Sequence, residues 1–192
     1  HRLSYLINLL RLYAFWLIFF LVERLIFVVR FWDSITEDGS SEVFVIFQSA
    51  LRLDASMTGY VLVIPVLLWV GEIVVGKSFV SHRFLIAYQR FFIGLFSLIG
   101  AVNLNIYQEW GAKVNYKVFK IFFNYPYEST ISSLETGIGL TVGILLFQVL
   151  FFGWLIRFFI RPAYQLHSWL VRPVLSLLVL GLTFLSVRGG WQ

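Results

Sequence analysis

Charged and amide side chains embedded in apolar sequence are the groups in this chain with the most chemical potential. Arg52, Asp54 and Ser56 form a polar knot between the apolar runs Val43 to Leu51 and Met57 to Gly76. Asn103, Asn105 and Glu109 close another apolar run, and Lys113, Lys117 and Lys120 follow at helical spacing. A guanidinium offers a planar fork that fits a phosphodiester. Carboxylates and amides can accept from a headgroup hydroxyl or ammonium. Together Arg52, Asp54, Asn103, Asn105 and Glu109 predict a lipid-headgroup site at one membrane interface, rimmed by the three lysines. The same residues also fit a simpler role, in which the acids, arginine and amides fix helix depth or cap helix ends in water and the lysines snorkel along an interfacial helix.

Glu72 and Arg90 lie deeper in apolar sequence, where an unpaired charge costs roughly 2.5 to 3.5 kcal/mol at a helix centre on insertion scales. Their similar depths predict a structural ion pair. Glu23 and Arg24 interrupt the first apolar run, and as helix neighbours about 100° apart they must find other partners. Nothing in the sequence supports local catalysis: His1, His82 and His167 are far apart, and H-E-x-x-H, G-x-S-x-G and phosphate-binding glycine loops are absent. No nucleophile or metal site is expected within this stretch, and no cofactor.

The elements that must position these groups are membrane helices. With 59% hydrophobic and 13% charged residues, and a mean hydropathy of +0.84, the chain has too few polar side chains to cover a water-soluble globule. An all-α polytopic bundle of five transmembrane helices is predicted, over about residues 12–30, 57–76, 84–107, 136–160 and 170–187. The apolar stretch Val43 to Leu51 is too short to cross and is expected as a re-entrant or interfacial segment. Lys113 to Phe123 is expected as an amphipathic helix on the membrane surface. Ser132 and Glu135 have capping-box spacing before the fourth span. The absence of cysteine excludes disulfides and thiolate metal sites.

The net charge of +5 does not point to nucleic acid, because the cations sit in loops in the pattern that membrane insertion produces. Lys77, Arg83, Arg157, Arg161 and Arg172 occupy acid-free connections, whereas Asp33, Glu37, Asp38, Glu42, Glu109 and Glu128 occupy the alternate ones. The positive-inside rule then places the N-terminus in the cytoplasm and the C-terminus outside. The chain begins at His1 rather than Met and stops at Gln192 straight after an apolar run, which leads us to expect a longer parent.

Three stretches carry a family resemblance: ALRLDASMTGY before the second span, EWGAKVNYKVFKIFFNYPYE after the third, and VRGGWQ after the fifth. Their order resembles the N-terminal membrane domain of the lipoteichoic acid synthase family, the sulfatase-superfamily phosphoglycerol and phosphoethanolamine transferases of bacterial cytoplasmic membranes. The resemblance implies five spans leading to an extracytoplasmic catalytic domain of the chain's own, in which a Thr nucleophile and a divalent metal (Mn, Mg or Zn) take a headgroup from a membrane phospholipid. Those residues would lie beyond Gln192, and a hydrolase of the same superfamily remains open. A reading from another class is a small carrier or flippase-like subunit whose path is lined by Glu23, Arg24, Glu72 and Arg90.

Overall fold

A computed structural model describes residues 4–36, 41–110, 138–160 and 171–188, together with Lys120 and Asn124. Lys113, Lys117 and most of the expected amphipathic helix lie outside the described residues. Among the described residues the helices are α1 Ser4–Arg30, α2 Trp32–Thr36, α3 Ser41–Val75, α4 His82–Trp110, α5 Ile138–Phe159 and α6 Val171–Val187. There is no strand among the described residues. Four of the helices are long and apolar enough to cross a membrane, and a shorter apolar helix covers Pro173–Val187. The chain is therefore an all-α, multi-pass membrane bundle.

The chain divides into two compact units, His1–Gln89 with Leu155–Gln192 and, separately, Arg90–Trp154. In the first, α3 is the central element, packing on α1 and α6. Leu12, Phe15, Trp16 and Phe19 recur at helical spacing on one buried face of α1. Leu62, Val66, Trp69 and Ile73 do the same on α3, and Leu175, Val179 and Thr183 on α6. Between apolar helices in lipid, association depends on close packing and interhelical hydrogen bonds rather than on exclusion of water. Aromatic edges supply much of this packing, with Tyr5 against Trp69 at 6.4 Å and Phe15 against Phe159 at 5.2 Å between ring centroids. The Trp16 indole also donates to Gln89 Oε1 at 2.7 Å.

The expected re-entrant or interfacial segment is helix continuous with the apolar run that follows it. α3 runs without interruption through Arg52, Asp54 and Ser56 for 35 residues, about 52 Å at roughly 1.5 Å per residue, well beyond a hydrocarbon core of about 30 Å. Charge alone does not break a helix, and the sequence from Ser41 to Thr58 contains neither proline nor glycine. The helix does contain Pro65, whose missing N–H leaves the Val61 carbonyl without its usual partner. Tyr88 of α4 donates its hydroxyl to that carbonyl at 2.9 Å. Gly76, at φ 74°, ends α3 in the left-handed conformation that glycine adopts freely, with its N–H on the Glu72 carbonyl at 2.8 Å.

In the second unit the main part of α4 lies against α5. Thr141 donates to Asn105 Oδ1 at 2.7 Å near one end, and Arg90 Nε donates to the Gly153 carbonyl at 2.9 Å near the other. The two helices are therefore antiparallel.

Candidate functional site

The best-defined polar cluster of the first unit joins α3 to the C-terminal end of α6, and small residues on α3 make it possible. Ala55, Ser56 and Gly59 present little side chain, so the α6 backbone can approach closely. A Cβ on Gly59 would stand 2.7 Å from the Val187 nitrogen and 2.9 Å from Ser186 Oγ. Two hydroxyls then tie the helices at backbone level. Ser56 donates to the Val187 carbonyl at 2.9 Å, and Ser186 donates to the Ala55 carbonyl at 2.8 Å. Carbonyls in the last turn of a helix lack intrahelical donors, so the Ser56 bond also satisfies one of those groups on α6. Tyr13 of α1 lies 3.1 Å from Ser186 Oγ. Since the one proton of Ser186 serves Ala55, the Tyr13 hydroxyl is the donor in that contact.

Beside this junction is a cleft of about 820 Å³. Its floor is Ala55, Gly59 and Leu62, one wall is Leu9, Leu10 and Tyr13 of α1, and the other is Leu182, Leu185 and Ser186 of α6. α1 and α6 touch only sparsely while each packs on α3. Leu10, Leu182 and Leu185 are all exposed, so the cleft opens sideways between the two helices. Arg188, just past the end of α6, also lines it. Its guanidinium has no ion-pair partner among the described residues, and its backbone N–H bonds to the Phe184 carbonyl at 3.0 Å.

The sequence-predicted site residues fall in both units, Arg52 and Asp54 in the first and Asn103, Asn105 and Glu109 in the second. Asp54 is held by Arg24, whose Nη2 straddles both carboxylate oxygens at 2.9 and 3.0 Å, with the two side chains 17% and 13% exposed. This ion pair staples α1 to α3. Arg52 itself is exposed on α3. Asn105 pairs with Thr141 within the second unit, and Asn103, in the same unit, is half-buried. Lys120 is exposed, while Lys113, Lys117 and the Glu109 side chain lie outside the described residues.

Glu72 and Arg90, expected as an ion pair, lie in different units, and each has hydrogen-bond partners within its own unit. Glu72 is 4% exposed. Its Oε1 accepts from Ser78 Oγ at 2.9 Å and from the backbone N–H groups of Phe79 and Val80 at 2.8 and 2.7 Å, and its Oε2 lies 3.4 Å from the Tyr5 hydroxyl. Hydrogen bonding by dipoles rather than a countercharge satisfies this carboxylate. Arg90 donates to the Gly153 carbonyl. Among the described residues Arg24 and Asp54 form an ion pair.

Tyr13, Gly59, Ser186 and Arg188 escaped the reading by residue type because none is conspicuous alone. The spacing of Ala55 and Gly59, four apart on one helix face, was the signal available for them. Among the described residues no group of His, Cys, Asp or Glu is placed to hold a metal ion. The chain matches no family model, and no curated protein or solved structure is significantly similar to it.

Proposed function

We propose that this chain is the membrane domain of a phospholipid-headgroup transferase of the lipoteichoic acid synthase type, anchoring an extracytoplasmic catalytic domain in a bacterial cytoplasmic membrane and presenting its donor lipid. The observation that carries this reading is the fixed end of α6. The close approach at Gly59 and the bonds of Ser56 and Ser186 hold the last span rigidly where the polypeptide leaves the apolar region. A domain that must hold a catalytic partner at constant height and angle over the bilayer needs such a rigid exit, whereas a free anchor helix does not. The positive-inside pattern puts that exit outside the cell, and VRGGWQ follows it directly. The transferred group is phosphoglycerol or phosphoethanolamine, and the divalent metal and nucleophile belong to the catalytic domain. The carrier reading loses two of its path-lining groups, since Arg24 is bonded to Asp54 and Glu72 caps the turn after α3.

The test is enzymatic. The complete gene product, reconstituted with fluorescent phosphatidylglycerol or phosphatidylethanolamine, is expected to release fluorescent diacylglycerol in a reaction that stops when divalent metal is chelated. A coding sequence ending at Gln192, with no headgroup turnover by the product, favours the carrier.

A further inference from the structure

We infer that the cleft between α1 and α6 binds one anionic phospholipid, with an acyl chain between the leucine walls and the phosphate at Arg188. This deepens the reading of the chain as a lipid-presenting domain and rests on it for the identity of the donor. The cleft lies between α1 and α3, which are long and apolar enough to cross a membrane, and the shorter apolar α6, and it opens sideways through Leu10, Leu182 and Leu185, so what reaches it first is lipid. At about 820 Å³ it falls in the size range of small-molecule pockets, roughly 300 to 1,000 Å³. Its walls offer an acyl chain the apolar contact that bulk lipid offers, and give no headgroup preference by themselves.

Selection comes from Arg188, the one charged residue among the described residues of the lining. Arg188 carries a permanent positive charge with no acidic partner among the described residues, and its fork can take two oxygens of a phosphodiester. Arg24 differs, because Asp54 already occupies its guanidinium. A zwitterionic lipid brings a compensating ammonium and gains less from Arg188 than a lipid with net negative charge. Floor depth depends on Ala55 and Gly59, and the Gly59 side that meets α6 has no room for a methyl. The same small residues that fix α6 on α3 therefore also line the cleft floor.

The proposal is tested by native mass spectrometry of the intact chain released from nanodiscs containing equal phosphatidylglycerol and phosphatidylcholine. One phosphatidylglycerol is expected to stay bound in preference to phosphatidylcholine by about tenfold, the scale of one charge-assisted hydrogen bond. Arg188→Gln should abolish that preference, and Arg188→Lys should restore part of it. Leu182→Trp, which fills the cleft from a side chain that is already exposed, should reduce retention of both lipids. Leu185→Trp repeats the test from the next turn, with helicity by circular dichroism checking that each variant is folded. Unchanged preference in Arg188→Gln, or full retention of both lipids in the two tryptophan variants, overturns the proposal. Headgroup turnover is a separate readout: retention without turnover removes the transferase reading and leaves the cleft, and turnover without retention does the reverse.

Discussion

A carboxylate inside a membrane bundle must be matched by donors, and Glu72 and Asp54 meet that demand in different ways. Glu72 takes backbone N–H groups and hydroxyls at the turn after α3, so its loss should be felt locally. In Glu72→Ala the amides of Phe79 and Val80 lose a charged acceptor, which costs about 1 to 3 kcal/mol, and their hydrogen exchange should speed up. Asp54 instead has a countercharge. Removing Arg24 or Asp54 alone should cost about 2 kcal/mol, between the values for exposed and buried pairs, because a largely buried charge is left behind. The double variant Arg24→Gln, Asp54→Asn should cost less than the sum of the two. Additivity to within about 0.5 kcal/mol in detergent unfolding would show that the pair contributes no coupling.

At the level of elements, the organising fact is the unequal treatment of glycines. Gly59 faces the α6 backbone at a distance no Cβ tolerates, so Gly59→Ala must push α6 away, and a loss of about 2 to 3 kcal/mol is expected. Gly71→Ala meets only the ring of Phe79 at 3.2 Å, and that exposed side chain can give way. Gly94→Ala and Gly153→Ala meet nothing within 4 Å and should be neutral or stabilising by up to about 1 kcal/mol, the helix-propensity difference. Thermal unfolding of the four variants in one detergent checks this order, and a Gly59→Ala protein as stable as Gly94→Ala would contradict the close approach. α3 also shows where sequence reading reached its limit. Its apolar second half is legible from hydropathy, but Arg52, Asp54 and Ser56 stand in the sequence only as a polar knot between apolar runs, because the partners of Asp54 and Ser56 lie far away in sequence. Asp54 is answered by Arg24, and Ser56 by Val187, 131 residues on. Likewise, Pro65 was visible in the sequence while Tyr88, which satisfies the carbonyl it frees, was not. Hydropathy reports which segments enter a membrane, and long-range polar pairing determines which of their charges are already occupied.

For the whole molecule, the apolar segments were legible from hydropathy, and among the described residues four helices are long and apolar enough to cross a membrane, with a shorter apolar one over Pro173–Val187. The cleft was not legible, since it arises from leucines and small residues that any membrane helix contains. Its place in the proposed function depends on orientation: the Arg188 end of α6 must face the extracytoplasmic side for a lipid held there to be presented to a catalytic domain. With no native cysteine in the chain, single cysteines report orientation cleanly. Ser34 on α2 and Ser78 in the turn after α3 are both exposed, and they lie at opposite ends of the α1 and α3 pair that Arg24 with Asp54 and Tyr5 with Glu72 align. In intact cells treated with a membrane-impermeant thiol reagent, Ser34→Cys is expected to label while Ser78→Cys labels only after permeabilisation. Labelling of Ser78→Cys from outside, with Ser34→Cys protected, would turn the Arg188 end toward the cytoplasm and contradict the account.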